Sequence, residues 1–449
     1  MKPGPLPITY RTTEVDRIMR ALAAGESGVV LGIGSVGKSN LLRFLAREDV
    51  REAKLGDHHN NYLFAYIDTN KMLEFSVWGL AELMLHQLLI SLTNKDVDDE
   101  MLRAVDRLYQ RATDPQTRYL ALRYLDRVVN LVCNQLHLSL VFLIDEFDEL
   151  TRRMSSRGFT ALRALRDDHK YHLMYLVALR LQLKWLREDI LEIEPFEELV
   201  STNKVWLGPY SESDARDMLQ RLTARYEVYL DKETVRHLLA VTGGHPGLLR
   251  TTYKCATEYP KGKLGNLSGN PKIKDECRRV WFSLDASEQS LVLQLTAGVE
   301  LGPEEATTLR RLRRKGVVGG TWVDDGALFS PLFGSYVEEQ QPTVGARIQV
   351  DRERRSVWVN GRAIVDLPPL EYKFIEYLES KRGEVCSRNE LAQHLYPREV
   401  YDEGVSDGRL DAVVKRLRKR VEPVPGEQRY VETVWGQGFR LIDGGEKTA

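Results

Sequence analysis

The sequence predicts a multidomain chain, α/β in its first half and α+β beyond it, and three observations carry that expectation. Residues 28 to 207 alternate short apolar runs with longer amphipathic ones, the pattern of a parallel sheet with helices between its strands. A glycine-rich loop, Gly32-Ile33-Gly34-Ser35-Val36-Gly37-Lys38-Ser39, sits between one such run and a helix. Near the C-terminus Lys415, Arg416, Arg418, Lys419 and Arg420 crowd together in a chain whose net charge is only −1.

A length of 449 residues exceeds one ordinary core and implies about three domains. The 43% hydrophobic and 29% charged content is that of a soluble globular protein. The longest apolar stretches, such as Leu138 to Ile144, have strand length and not membrane length. The N-terminal MKPGPLPITY lacks the basic-then-apolar export pattern, so the expectation is a cytoplasmic protein without a membrane partner. Cys133, Cys255, Cys277 and Cys386 are far apart and form no CxxC pair; they read as reduced thiols, with neither disulfide nor zinc site implied. Asp57-His58-His59 reads as solvated loop in preference to a metal site.

In chain order, Gly28 to Leu31, Tyr62 to Ile67, Leu138 to Ile144, Leu173 to Leu179 and Lys204 to Leu207 are the candidate strands. Phe75 to Ser91 and Arg118 to Leu136 have helical length and spacing. After Gly208-Pro209 the β signal stops, and Ser211 to Glu227 and Lys232 to Val241 read as helices, the first opened by a Ser-x-x-Asp capping pattern. Two helices and then a hairpin-like stretch fit 275 to 338, with Gly319-Gly320 and Asp324-Asp325-Gly326 as turns. Glu338 to Gly345, containing Pro342, reads as a linker.

The glycine-rich loop fits G-x-x-x-x-G-K-[ST]. A loop that wraps a triphosphate with its N–H groups turned inward needs glycine where φ is positive or a Cβ would collide. The following helix directs its N-terminal dipole at the phosphates. Lys38 would neutralise the β- and γ-phosphates and the Ser39 hydroxyl would hold Mg²⁺, making Gly32, Ile33, Gly34, Ser35, Val36, Gly37, Lys38, Ser39 and Asn40 the nucleotide set. The strand Val29-Val30-Leu31 before it and the helix Leu41 to Leu45 after it supply the context that a mere glycine-rich turn lacks.

Leu140-Val141-Phe142-Leu143-Ile144-Asp145-Glu146 is an apolar strand ending in two carboxylates, at the edge where ligands of parallel sheets bind. Asp145 would hold Mg²⁺ and Glu146 would orient and polarise the attacking water; the plain alternative is that both only cap the next helix. Asp148 and Glu149 are assigned to an exposed turn beyond. Arg180, after the strand Leu173 to Leu179, either senses the γ-phosphate or forms a surface ion pair.

These residues resemble the signal-transducing ATPases with numerous domains and the related archaeal-type and origin-recognition AAA+ ATPases, over roughly residues 8 to 335. The resemblance rests on the loop, on Ile144-Asp145-Glu146-Phe147-Asp148, on Leu207-Gly208-Pro209 and on Gly243-Gly244-His245-Pro246-Gly247-Leu248-Leu249. It implies that the last element lies in a helical lid, with Pro246 against the adenine and His245 near the phosphates, and that a small winged helix follows, including Phe329-Ser330-Pro331-Leu332-Phe333. The chain departs from the family in its arginine finger, for which Arg152 and Arg153 are the candidates without a placed role.

Residues 347 to 442 form a separate unit. Arg347 to Val359 alternates as a strand and Asn360-Gly361 is a two-residue hairpin signal. Leu367 to Leu378 starts a helix with proline near its first turn, Ser387-Arg388-Asn389-Glu390 is a capping box, and Ser406 or Asp407 caps a third helix from about Arg409 to Val421. On that helix Leu410, Val413, Val414, Leu417 and Val421 form one apolar stripe, while Arg409, Lys415, Arg416, Lys419 and Arg420 occupy other faces and suit the major groove of double-stranded DNA. A closing hairpin turns at Gly436-Gln437-Gly438. The segment resembles the OmpR/PhoB-type winged-helix effector domain through its Leu-Pro-Pro-Leu-Glu-Tyr start, Gly383 to Arg388, Leu410 to Lys419 and Val434 to Leu441. The resemblance implies a wing residue in the minor groove, Gln437 or Arg440 being nearest; Gly408 stands where the family usually has arginine, so base preference does not transfer.

The expected architecture is therefore a P-loop parallel α/β domain (1–207), a helical lid (208–270), a small middle winged helix (271–338), a linker (339–346) and a C-terminal winged helix-turn-helix (347–443). The leading functional expectation is a transcriptional regulator, a slow Mg²⁺-dependent ATPase in which ATP or ADP sets how the last domain meets DNA. Such a protein would act as a homo-oligomer, dimer or larger, answer an unknown signal molecule or protein, and reside with the nucleoid. The alternatives are a DNA-remodelling loader ATPase and a defence-type sensor.

Overall fold

The computed structural model describes residues 5–95, 97–183, 186, 190–258, 267–299, 301–320, 322–340, 348–352, 356–359, 362–364, 367–396, 407–422, 428 and 430–442. The chain forms two compact units, Met1–Ser283 with Leu312–Phe333, and Leu284–Arg311 with Gly334–Ala449.

The first unit opens with α1 (Thr12–Ala23), β1 (Gly28–Gly32), α2 (Lys38–Leu45), α3 (Glu48–Leu55) and β2 (Tyr62–Asp68). Then come α4 (Val77–Thr93), α5 (Asp99–Thr113), α6 (Ala121–Asn130), β3 (Ser139–Asp145), α7 (Phe147–Arg153), α8 (Ser156–Asp168), β4 (Leu173–Leu179), α9 (Ile190–Ser201) and β5 (Asn203–Leu207). The five strands are all parallel in the order β2-β3-β4-β1-β5. Every residue of β1 and β4 is buried, as their unbroken apolar sequences require of strands covered on both faces. The register sets Leu31 beside Leu179, Ile144 beside Val177 and Asp68 beside Asp145. One sheet edge therefore carries the glycine loop, both carboxylate-ending strands and Arg180.

Helices continue with α10 (Glu212–Tyr226), α11 (Lys232–Thr242), α12 (Pro246–Glu258) and α13 (Pro271–Trp281). Ser211 caps α10 by accepting from the Asp214 amide, Asp231 caps α11 through Thr234, and Asn270 caps α13 ahead of Pro271. Gly243 ends α11 at φ 55°, where a Cβ would lie 1.7 Å from the Phe329 carbonyl oxygen, so only glycine fits.

Beyond Ser283 lie α14 (Ala286–Thr296), α15 (Ala306–Arg314) and α16 (Pro331–Glu339). The expectation of two helices over 275 to 338 is corrected, since α13, α14 and α15 precede the turn region and α16 follows it, while the hairpin-like stretch is met by an antiparallel bridge, Val318 to Leu328. In α15 Leu312 is the buried residue.

The C-terminal region begins with an antiparallel sheet of β6 (Ile348–Asp351), β7 (Ser356–Val359) and β8 (Arg362–Ile364). The alternating run to Val359 is thus two strands and not one. Asn360-Gly361, Ser406 and linker residues 341–346 lie outside the described residues. Next come α17 (Pro369–Ser380), β9 (Cys386–Ser387), α18 (Arg388–Leu395), α19 (Asp407–Val421), β10 (Val431–Val434) and β11 (Gly438–Leu441). The last strands form a sheet in the order β10-β11-β9. Ser387 and Glu390 form the expected capping box, whereas Asp407 is the first residue of α19 and not its cap. The whole apolar stripe of α19 is buried with Phe374, Leu391 and Phe439.

Packing behind the acidic strand centres on Phe196 of α9, whose ring lies 5.7 Å from that of Phe147, 5.6 Å from Phe159 and 5.9 Å from Tyr175. Truncating such a ring removes its transfer energy and leaves a cavity. Phe196→Ala is expected to destabilise the chain by about 3–5 kcal/mol, read as a lower urea midpoint; an unchanged midpoint would show that this cluster does not support the sheet.

Candidate functional site

The loop between β1 and α2 is shaped by its glycines. Gly37 has φ 103° and Ser35 φ 56°, the left-handed backbone that such anion-binding loops use. A Cβ at Gly32 would lie 2.8 Å from Val36 Cγ1, and one at Gly34 would lie 2.4 Å from the Arg279 carbonyl oxygen. Lys38 is 8% exposed, and its Nζ donates to the carbonyls of Gly32 (2.8 Å) and Ile33 (3.1 Å). Burial pushes its ammonium down to about 8, against the opposing pull of Asp148. Ser39 is half-buried and Asn40 exposed at the start of α2.

The acidic pair ends β3. Asp145 is buried; Oδ2 accepts from the Tyr66 hydroxyl (2.7 Å) and Oδ1 from the Glu146 amide (3.0 Å). Glu146 is held at φ 53°, costly for a residue with a Cβ and characteristic of functional positions. Arg180 Nη2 donates to Glu146 Oε2 at 2.7 Å, so Arg180 forms an ion pair with the water-orienting candidate. The placement of Asp148 in an exposed turn is corrected. This carboxylate is 4% exposed and accepts from the amides of Arg180 (3.0 and 3.1 Å) and Leu181 (3.3 Å). It ties the end of β4 to α7, and burial raises its pKa while Lys38 opposes the rise. Glu149 is half-buried and pairs with Arg152 and Arg153.

Helices α12 and α13 close onto this loop. His245 is fully buried; Nε2 donates to the Gly34 carbonyl (2.9 Å) and Nδ1 accepts from the Leu248 amide (3.3 Å), which defines the neutral tautomer. Burial pushes its pKa down to about 3. Pro246 is the buried first residue of α12. Ser283 Oγ accepts from the Gly34 amide at 3.0 Å and donates to the Val280 carbonyl. Gly34 is thus gripped at both its N–H and its C=O. Sequence reasoning missed Ser283, which carries no motif, and also Tyr10, Arg11 and Tyr210. The hydroxyls of Tyr10 and Tyr210 lie 3.3 Å apart, at 3.5 and 3.6 Å from where a Gly37 Cβ would stand. Arg11 Nη2 donates to the carbonyls of Val36 (3.0 Å) and Gly208 (2.8 Å). The string Leu207-Gly208-Pro209 was the available signal for Tyr210.

In the C-terminal region, the cations of α19 separate into two kinds. Arg416 Nε donates to buried Glu371 (2.5 Å), joining α19 to α17, and Arg418 donates to the Val431 carbonyl and the Thr433 hydroxyl of β10. Arg409 lies over the Tyr396 ring, 4.8 Å from its centroid. Lys415, Lys419 and Arg420 are exposed. At about 100° per residue, Lys415 and Lys419 with Gly408 and Ala412 lie opposite the buried stripe. In the β10–β11 hairpin Gln437 is exposed at the turn, whereas Arg440 pairs with Glu432 across the strands (2.6 Å). Trp435, within the Val434 to Leu441 segment, is 89% exposed beside Gly436.

Among the described residues no group of three or more His, Cys, Asp or Glu side chains could hold a metal, and no helix is long and apolar enough to cross a membrane. The glycine cradle after β1 and the carboxylates after β3 define a P-loop α/β protein, here joined to a C-terminal winged helix. Residues 361–441 match the family "Transcriptional regulatory protein, C terminal". The chain is 32% identical to the transcriptional regulatory protein BaeR of Escherichia coli over 103 residues, 23% of this chain and 41% of that protein. It is 30% identical to the sensory transduction protein RegX3 of Mycobacterium leprae over 155 residues, 32% of this chain and 69% of that protein. The Walker-type ATPase of Pyrococcus abyssi is similar over 73% of this chain and 95% of its own, at 16% identity and a TM-score of 0.49. Through its C-terminal region the chain belongs to the family of transcriptional regulatory proteins that carry the OmpR/PhoB-type winged helix. It spans about two fifths of the length of BaeR.

The buried neutral His245 links stability to pH. Its folded pKa, about 3, lies below the ordinary 6.5, so between those values the unfolded chain holds one proton more than the native one. Stability conferred by the neutral ring is present above 6.5 and falls as the pH falls, by up to about 1.4 kcal/mol per pH unit. The pH slope of the urea midpoint between pH 6.5 and 5 should flatten in His245→Gln by the equivalent of about one proton; an equal slope would mean that the ring is protonated in the native protein.

Proposed function

We propose that the chain is an ATP-dependent, DNA-binding transcriptional regulator in which nucleotide state controls assembly and DNA engagement. The observation that carries this reading is the double grip on Gly34 by Ser283 and His245. Phosphates bind such loops through their N–H groups, so a nucleotide competes with Ser283 Oγ for the Gly34 amide. In the chain Ser283 immediately precedes Leu284, where the second unit begins. ATP and ADP then shift the equilibrium to the extent that they differ in affinity for the gripped and released loop.

The residues fit a nucleotide in their chemistry: Gly32 and Gly34 stand where a Cβ would collide with Val36 and with the Arg279 carbonyl, and a buried ammonium sits on the carbonyl oxygens of the loop. Gly32 to Asn40, with His245 and Pro246, would hold ATP or ADP, and Ser39 and Asp145 would hold Mg²⁺. Bound Mg²⁺ supplies charge neutralisation to the phosphates. Lys38 adds a second cation. Glu146 orients and polarises the attacking water, and its ion pair with Arg180 keeps turnover slow until the two separate. A homo-oligomer, dimer or larger, suits two DNA half-sites, and a signal molecule or protein would bias the switch.

The test is mass measurement with ATP or ADP, with and without random duplex DNA, alongside nucleotide binding and phosphate release. A nucleotide-dependent change of assembly is expected, lost in Lys38→Ala together with ATP binding. Glu146→Gln should keep binding and lose hydrolysis. Turnover that rises only with DNA, at constant assembly, would favour a loader ATPase instead.

On DNA, Lys415 and Lys419 act as phosphate contacts. Replacing either by Ala should weaken binding to all sequences alike and reduce the slope of log affinity against log salt by about 1. The slope is read by fluorescence anisotropy; a slope equal to wild type removes that lysine from the interface.

A further inference from the structure

A cavity of about 230 Å³ lies within the first unit, walled by the Gly208-Pro209-Tyr210 turn, the end of α11 and the segment from Arg313 to Phe329. No residue of the phosphate loop lines it. It is smaller than drug-sized pockets, with room for about eight waters' worth of liquid, and so suits a small metabolite. Gly316, Gly319 and Gly320 all line it at positive φ, where a side chain would be strained, and at Gly316 a Cβ would also meet Pro209 at 2.6 Å.

Its chemistry is one-sided. Tyr210, Trp322 and Phe329 are its aromatic lining residues and Arg313 and Arg314 its cationic ones, while no carboxylate is among the described residues that line it. Arg313 has a partner in Asp325 at 3.3 Å, whereas Arg314 makes no ion pair among the described residues. The indole N–H of Trp322 is buried and finds no acceptor among the described residues. Buried donors are normally satisfied, so an unmet N–H beside a cation and an aromatic face asks for a ligand with an acceptor, a negative charge and a flat apolar body.

We propose that this cavity is an effector site for a small planar carboxylate, with its ring against Trp322 and Phe329 and its carboxylate shared between the Trp322 N–H and Arg314. The wall also reaches the nucleotide loop. Tyr210, whose hydroxyl stands over Gly37 beside that of Tyr10, donates its amide to the Gly244 carbonyl (3.0 Å), and Gly244 immediately precedes His245, which holds Gly34. Through that turn the effector shifts nucleotide affinity, a coupling that rests on the proposed nucleotide switch; the binding itself does not.

Salicylate and benzoate are the probes, with neutral benzamide and inorganic phosphate as controls, on the full chain and on Trp322→Phe and Arg314→Gln. Binding is followed by saturation-transfer NMR and calorimetry, and urea midpoints verify that the variants fold. Millimolar or tighter binding of a planar carboxylate is expected, at least about tenfold weaker in each variant and absent for benzamide and phosphate. Failure of both carboxylates to bind, equal binding of benzamide, or wild-type affinity in both variants overturns the site. ATP titrations with and without salicylate test the coupling separately. Normal ATP binding without salicylate binding defeats this inference alone; salicylate binding without ATP binding defeats the nucleotide reading and leaves the cavity assigned.

Discussion

The arrangement of the first unit depends on how closely other backbone and side chains can approach Gly34. With a hydrogen in place of a Cβ, the loop lies where the Arg279 carbonyl would otherwise collide, and Ser283 and His245 reach its two peptide groups. Both hydrogen bonds are buried, where an unmet partner is costly, so they are made together or exchanged for others. Under the proposed switch, such a loop has two states, one gripped and one released. A ligand that claims the same amide does not merely add to the structure; it replaces one set of partners by another.

Charge in the site is arranged by the same economy of burial. Lys38 is kept among carbonyl oxygens with its ammonium weakened by desolvation, and Asp148, the first of the charges that oppose this, is itself occupied by the amides after β4. Asp145 is steadied by Tyr66, and Glu146 is drawn to Arg180. Each charged group at this end of the sheet is thus held by a neighbour. The C-terminal region divides its cations similarly: Arg416 and Arg418 fasten α19 to α17 and β10, which leaves Lys415 and Lys419 on the outward face.

Local signals made much of this legible in advance. The loop needs glycine at fixed offsets, a strand buried on both faces must be apolar throughout, and a helix packed on one side repeats its apolar residues every three or four positions. Hence the five strands, the Ser211 and Ser387 caps and the stripe from Leu410 to Val421 were readable, each within a residue or two.

By itself the sequence determined which residues form the glycine-rich loop, which strand ends in carboxylates and which helix is cationic, because those properties reside in neighbours along the chain. Only the tertiary structure decided that Asp148 is a buried strap, that Arg180 seizes Glu146, and that Ser283 meets Gly34 across 249 positions. The reason is physical: periodicity records the environment of a segment but not the identity of the distant group that completes it. A serine at the end of a helix looks the same whether its hydroxyl faces water or holds the amide of a phosphate loop.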